Sequence, residues 1–274
     1  MKNVERNKTL WRILIFSVLV NVVAWIAPAL GGSPSSPGLG FVLWGAAPLV
    51  VSLVMRLVTE DWSDLGTKPV LGKNVKWYLF SFLAFPVIML LALFVGILFS
   101  VLTVSDFSLG PFLKITLTAL PIFFIFAIFE EVGWRGYLSP KLDALGINRF
   151  LASGVVALVW ATWHLPYIRE LSWVYSSENL PAFIPRFYLL CFALSFVYGE
   201  VRSLTGTFWS VTLFHAVGNA FGHPLSEEYV NVAAGWDAFA SISNGYFVIV
   251  LVLAVGIAIN RWRSRKAASS KSFV

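Results

Sequence analysis

Charged residues are scarce in this sequence. Only 12% of its 274 residues are charged, against 58% that are hydrophobic, whereas a soluble domain carries about 25% charged residues. So few charges could not cover the surface of a soluble protein with this much apolar material. Several apolar stretches reach the roughly 20 residues that a helix needs to cross a bilayer. The composition therefore indicates a helical membrane protein, and it excludes a membrane β-barrel, whose strands would alternate over about 10 residues.

Cysteine and internal repeats are equally scarce. The single cysteine, Cys191, lies in an apolar run, so no disulfide can form within the chain and we expect a buried, inert thiol. The sequence has no internal repeat, low-complexity tract or sign of a second domain. The lack of a repeat argues against a transporter, because many transporters are built from paired halves.

The apolar stretches predict an all-α bundle of about eight transmembrane helices that encloses a polar cavity. The first stretch is longer than the apolar core of a signal peptide, so we interpret it as a retained span. We expect one transmembrane catalytic domain over residues 1–267, with the motif core at 110–221 and a disordered tail at 268–274. Loops or short surface helices are expected at 139–148 and 169–181. The predicted spans are 12–30, 38–58, 75–103, 110–138, 149–168, 182–199, 206–221 and 237–260.

Basic residues predict the orientation. With eight spans both termini lie on one side, and that side holds 17 of the 20 Lys and Arg residues. By the positive-inside rule this side is cytoplasmic, which predicts a cell-membrane protein with both termini in the cytoplasm. Topology also explains the net charge of +6, so we expect no nucleic-acid partner. The three basic residues on the other side are Lys114, Arg169 and Arg186.

A pair of acids ends the fourth predicted span. An ionisable group inside a span is costly, by about 2.5–3.5 kcal/mol for Asp at the helix centre, and marks a candidate site. Glu131 lies four residues before Arg135, the favourable order for a helical ion pair. Glu130 projects about 100° away from Glu131. The spacing therefore assigns Glu131 to Arg135 and leaves Glu130 available for chemistry, with a purely structural pair of acids as the alternative.

Two further polar positions lie inside predicted spans. His164 falls in the fifth span, and His215 and Asn219 fall in the seventh, four residues apart and therefore on one helix face. Counted from the predicted cytoplasmic ends at 1.5 Å per residue, Glu130 lies about 12 Å deep, His215 about 14 Å and His164 about 22 Å. We therefore expect a common site in the cytoplasmic half or the middle of the membrane, in a polar cavity open to the cytoplasm.

Together the three segments resemble the CPBP family, the CAAX proteases and bacteriocin-processing enzymes also called Abi proteins. The family pattern is Glu-Glu-x-x-x-Arg, Phe-x-x-x-His and His-x-x-x-Asn, and each part is matched in order. Trp160 stands where the family has Phe, and we expect this position to pack rather than react. Asp61-Trp62-Ser63-Asp64-Leu65-Gly66 also looks like bacterial members. The matched positions are Glu130, Glu131, Arg135, Trp160, His164, His215 and Asn219.

The resemblance implies an intramembrane endopeptidase of the type II CAAX prenyl protease kind. It implies that Glu130 and His164 activate a water, that His215 and Asn219 stabilise the oxyanion, and that Glu131 and Arg135 support them. The substrate would be a membrane-associated peptide or lipidated protein. No cofactor is required in this interpretation.

Two alternatives remain open. Glu130, His164 and His215 could bind zinc with one site left for water, although the sequence has no His-Glu-x-x-His motif. The second alternative is a non-catalytic membrane immunity or scaffold protein.

Overall fold

The chain folds into helices joined by short connections. The computed structural model describes residues 3–168 and 180–271, so most of the loop predicted at 169–181 lies outside the described residues. Within the described ranges, the helices are α1 Asn3–Ile26, α2 Leu39–Thr59, α3 Leu71–Leu98, α4 Leu109–Gly133, α5 Ser139–Ala144, α6 Arg149–His164, α7 Leu180–Thr205, α8 Trp209–Pro224, α9 Asp237–Ala240 and α10 Tyr246–Lys271. Two short strands, β1 Leu102–Val104 and β2 Val230–Val232, pair antiparallel.

Seven helical stretches of the described chain are long and apolar enough to cross a membrane. The outer faces of the bundle carry large apolar side chains, such as Val58, 78% exposed, and Phe99, 71% exposed. Such a surface suits lipid rather than water. An all-α polytopic bundle is therefore confirmed.

Helix α8 corresponds to the predicted span 206–221, but it differs from the other seven. It is 16 residues long, and most of its residues are buried against the rest of the protein, including the polar side chains of Ser210 and Thr212. A helix enclosed by protein needs no apolar outer face, because its neighbours rather than lipid satisfy its side chains. Residues at its start, Thr207 and Trp209, donate hydrogen bonds to the carbonyls of Gly66 and Thr67, and the π-helical segment Leu225–Tyr229 leads from its other end into β2.

Ion pairs define one end of the bundle, which we call the basic end. There, Asp61 accepts hydrogen bonds from Arg12 of α1 at 3.1 Å and from Lys141 of α5 at 2.7 Å. Glu200, near the end of α7, accepts a hydrogen bond from Arg263 of α10 at 2.8 Å. The charged ends of the first and last helices therefore lie at the same end, as an even number of crossings requires. Which membrane face this end occupies stays a prediction.

The strand pair lies at the opposite end, which we call the sheet end. Leu102, Thr103 and Val104 pair with Val232, Asn231 and Val230. This pairing ties the connection between α3 and α4 to the segment that follows α8. The third predicted span, 75–103, therefore ends early, because its last residues form β1.

The C-terminal helix also departs from its predicted bounds. The predicted span 237–260 begins instead with the short helix α9, and the long helix α10 starts only at Tyr246. Its backbone continues to Lys271, four residues into the segment 268–274 that was predicted as a tail. Residues 272–274 lie outside the described residues.

Candidate active site

The paired acids lie at the end of α4, where the helix passes into the π-helical segment Trp134–Leu138. The predicted ion pair is present: Nη1 of Arg135 lies 2.9 Å from Oε1 of Glu131, and both side chains are fully buried. The Arg135 guanidinium also lies over the rings of Trp160 and Tyr198, 4.9 and 4.8 Å from their centroids. Aromatic faces stabilise a cation in this position, so Arg135 is held on several sides.

Glu130 makes different contacts from its neighbour. Its Oε2 accepts a hydrogen bond from Nε1 of Trp160 at 2.7 Å and a longer one from Nε1 of Trp134 at 3.4 Å. That Trp160 packs rather than reacts stays a prediction, and its hydrogen bond to Glu130 is a contact that the sequence did not predict. A Phe at position 160 would pack similarly but would donate no hydrogen bond. The tryptophan therefore adds a polar contact to a carboxylate that the sequence had left without a partner.

His215 lies between the two acids. Its Nδ1 is 3.0 Å from Oε1 of Glu131, and its Nε2 is 3.9 Å from Oε1 of Glu130. An ionised carboxylate only accepts hydrogen bonds, so Nδ1 carries the proton and Nε2 is turned toward Glu130. This distance is longer than a direct hydrogen bond. The contact between Glu131 and His215 was not predicted from the sequence, which assigned Glu131 to Arg135 alone.

His164 is oriented by its own helix. Its Nδ1 lies 3.0 Å from the backbone carbonyl of Trp160. A carbonyl oxygen accepts, so Nδ1 donates and Nε2 is the ring nitrogen that can accept a proton. The ring packs edge-on against Trp163 and Phe187, with centroids 4.6 and 5.2 Å apart. This aromatic wall fixes the ring at the edge of the site.

One partly enclosed cavity of about 70 Å³ brings these groups together. The cavity is lined by Glu130, His164, His215 and Asn219. These four side chains therefore meet, although the depth estimate from the sequence placed His164 deeper than the others. A buried water needs roughly 10–15 Å³ of such space and two to four polar partners. The cavity can therefore hold a few waters, but it is too small for a peptide.

The remaining walls come from residues that the sequence analysis did not assign to the site. Cys191 is buried as predicted, but it lines this cavity rather than a remote part of the core. Gly218 allows close helix contact, because a Cβ there would lie 2.8 Å from the ring of Phe85. Both residues lie in apolar runs of the sequence. The spacing of residues in such a run does not distinguish a residue that lines a cavity from one that packs in the core.

The zinc alternative stays a prediction. Within residues 3–168 and 180–271, no three His, Cys, Asp or Glu side chains are grouped closely enough to hold a metal ion. Nδ1 of His164 and Nδ1 of His215 both donate to oxygen acceptors, so Nε2 is the other nitrogen of each ring. Metal-binding histidines make the same kind of contact through the nitrogen that does not bind the metal.

The fold and the cavity define a class: a polytopic helical membrane protein that encloses an acid–histidine site within its bundle. Residues 111–221 match the family model described as type II CAAX prenyl endopeptidase, Rce1-like. The predicted resemblance is thereby confirmed over the segment that carries the three motifs, which is similar to this family.

A curated relative agrees with this assignment. The chain is similar to "CAAX prenyl protease 2" of Methanococcus maripaludis, with 32% identity over 98 residues. That stretch covers 35% of this chain and 35% of the relative. The chain thus matches about a third of the length of the curated relative.

Proposed function

We propose that the protein is an intramembrane endopeptidase that hydrolyses a peptide bond of a membrane-associated substrate. The observation that carries this proposal is the shared cavity, in which Glu130, His164, His215 and Asn219 meet around a space of water size. The Rce1-like match over residues 111–221 supports the same reaction class.

Glu130 and His164 are the proposed water-activating pair. Oε2 of Glu130 is held by Trp160, which leaves Oε1 as the oxygen that can take a proton from water. Nε2 of His164 offers a second acceptor at the same cavity. Removing a proton from water as it attacks is general base catalysis, which contributes typically 10²–10⁴-fold in rate. The attacking oxygen then forms a bond to the scissile carbonyl carbon, and the carbonyl oxygen becomes the oxyanion. When the oxyanion collapses, the C–N bond breaks and the proton taken from water passes to the leaving amine.

His215 and Asn219 are the proposed oxyanion donors, and His215 takes this role in its doubly protonated form, in which Nε2 carries a proton as well as Nδ1. They are one helical turn apart on α8 and both line the cavity. The Asn219 amide has no hydrogen-bond partner in the part of the chain that the structure describes, so it is available to the substrate. Donors aimed at the developing oxyanion supply an electrostatic stabilisation that is usually the largest single term in such reactions. Glu131 supports the arrangement by holding Nδ1 of His215.

The proposed substrate is a peptide segment attached to the membrane. The name of the curated relative, CAAX prenyl protease 2, suggests prenylated CAAX proteins as the substrate class. Comparing the proteome of membranes that contain the wild-type protein with that of membranes containing Glu130→Ala would identify the peptides that depend on the site.

Substitution of the water-activating pair tests the reaction. Glu130→Ala and His164→Ala should each abolish peptide cleavage while the protein still inserts and folds. Glu5→Ala, which removes an acid at the surface far from the cavity lining, is the control and should keep activity. Wild-type cleavage by Glu130→Ala would refute the proposal. Metal analysis with chelator treatment separates the zinc alternative, since stoichiometric zinc lost together with activity would overturn the glutamate mechanism.

A further inference from the structure

We propose that the basic end of the bundle binds the phosphate group of an anionic phospholipid, in a pocket between α3, α7 and α10 that we call the lysine pocket. This pocket shares no lining residue with the acid–histidine cavity, and a lipid bound there requires no peptidase activity. The charge of the pocket, the tryptophans beside its lysines and an apolar row along α3 support this assignment.

The lysine pocket lies where three candidate membrane-spanning helices meet at the basic end. It is lined by the first turns of α3, by Leu204 near the end of α7, and by the C-terminal part of α10. Its volume is about 480 Å³, and ligand pockets typically measure about 300–1,000 Å³. The pocket is therefore large enough for a lipid headgroup.

The charge of the pocket is positive. Four of the residues that line it are basic: Lys73, Lys76, Arg263 and Lys266. Among the lining residues of the described chain none is acidic. Arg263 is ion-paired with Glu200 at 2.8 Å, whereas Lys73 and Lys76 have no carboxylate partner within residues 3–168 and 180–271. A bound anion would neutralise this excess of positive charge.

Two tryptophans orient the lysines. Nζ of Lys76 lies 5.8 Å from the ring centroid of Trp77 and 5.4 Å from that of Trp262. Nζ of Lys266 lies 5.6 Å from the same Trp262 ring. Two ammonium groups thus approach one indole, and an anion between them would relieve their mutual repulsion. A contact with an aromatic face leaves the N–H groups of Lys76 able to donate to phosphate oxygens.

Buried contacts hold the pocket in shape. Asn74, which lines it, is buried, and its side-chain nitrogen donates to the Thr205 carbonyl at 2.8 Å. The rings of Trp77 and Trp262 pack edge-on with centroids 5.7 Å apart. These contacts join the start of α3 to the C-terminal parts of α7 and α10. The pocket is therefore formed by packed helices and not only by exposed lysines.

The adjoining surface of α3 favours a lipid over a soluble phosphate. Leu83, Val87 and Leu90 lie on the helix face that also carries Lys76, and all three are exposed. An acyl chain would pack along this row while its phosphate contacts Lys76. Tryptophan is enriched at the level of the lipid headgroups, and basic pockets between transmembrane helices bind anionic headgroups.

Native mass spectrometry of the full chain in a neutral detergent tests the site. The protein would be titrated separately with dioleoylphosphatidylglycerol, which is anionic, and with dioleoylphosphatidylcholine, which is zwitterionic. The Kd for each lipid would be measured from the fraction of protein that carries it. Inorganic phosphate would be added as a competitor. Phosphatidylglycerol should bind more tightly than phosphatidylcholine, and an equal concentration of inorganic phosphate should not displace it.

Substitution of two lysines locates the binding. Lys73→Gln/Lys76→Gln should weaken the binding of phosphatidylglycerol about thirtyfold, because each lysine near an anionic surface contributes about fivefold in affinity. Arg6→Gln/Lys68→Gln is the matched control, since it removes two exposed charges outside the pocket. Distant exposed charges are screened by salt, so the control should stay within about threefold of the wild type.

Several outcomes would overturn the assignment. Equal weakening in the two double variants would show general attraction to charge rather than a site. An unchanged Kd in Lys73→Gln/Lys76→Gln, or equal Kd values for the two lipids, would have the same effect. Displacement of the lipid by inorganic phosphate would assign the pocket to a soluble anion. Thermal unfolding without lipid checks that each variant folds, and if the double variant does not, Lys76→Gln alone should weaken binding about fivefold.

Discussion

The indole nitrogen of Trp160 lies 2.7 Å from Oε2 of Glu130, so a residue expected to pack holds the carboxylate proposed to activate water. Trp160 stands one helical turn before His164, whose Nδ1 bonds to the Trp160 carbonyl. One residue thus orients both members of the proposed pair, the acid through its side chain and the histidine through its backbone.

Trp160→Phe should lower kcat by about tenfold to a hundredfold, because a hydrogen bond to a charged group contributes about 1.5–3 kcal/mol. The backbone contact to His164 would remain, so KM should change little. Trp134→Phe is the matched control, since its indole donates to the same oxygen over 3.4 Å, and its effect should be smaller. Steady-state cleavage kinetics would check both, and an equal loss in the two variants would contradict this account.

Glu131→Ala should destabilise the fold. It leaves Arg135 fully buried without its carboxylate, and breaking a buried ion pair costs about 3–5 kcal/mol. We expect a lower yield and a lower midpoint of thermal unfolding in detergent. Glu130→Ala, one residue away, should keep a midpoint near that of the wild type. A Glu131→Ala protein as stable as Glu130→Ala would show that the ion pair of Glu131 with Arg135 does not stabilise the C-terminal end of α4.

Cys191 should report on the cavity. A phenylalanine at this position would occupy much of a space of about 70 Å³. Cys191→Phe should therefore reduce cleavage at least tenfold, whereas Cys191→Ala should keep it. The measurement is the cleavage activity of each variant, with thermal unfolding in detergent to confirm that both fold. Equal loss of cleavage in Cys191→Ala would contradict the role of this side chain as a cavity wall.

Asp61 should make stability depend on pH in the acid range. The hydrogen bond from Lys141 lowers the pKa of the Asp61 carboxyl below its ordinary value of 3.8. A carboxyl whose folded-state pKa is depressed stabilises the fold above its ordinary pKa, and this contribution is lost as pH falls through the folded pKa. Asp61→Asn should therefore unfold at a lower temperature than wild type at pH 7, and the difference should shrink as pH falls below about 4. A difference that stays constant with pH would contradict this role.

The sequence predicted those parts of the fold and site that depend on local spacing. Helical periodicity separated Glu130 from Glu131, and the interval of four residues predicted the pair between Glu131 and Arg135, which the structure contains. Apolar length predicted most of the helices within a few residues. These features depend on residues within one or two helical turns of each other, so a single sequence reveals them.

Contacts between distant segments were not accessible in this way. The bond from Trp160 to Glu130 joins residues 30 positions apart, and the contact of His215 with Glu131 joins residues 84 apart. Both depend on how helices rotate about their axes when they pack, which apolar composition does not specify. The short pairing of β1 with β2 is likewise set by where α3 and α8 end. The position of the cavity depends on the same rotations of the helices about their axes.

The size of the cavity has a consequence for the proteins that surround this one in the lipid. At about 70 Å³ it admits water but no polypeptide, so neighbouring membrane proteins cannot be cut by the resting conformation. Proteolysis would require the helices around the cavity to separate first, a motion that typically takes microseconds to milliseconds. Each turnover would then include an opening and a closing of the bundle in addition to bond hydrolysis.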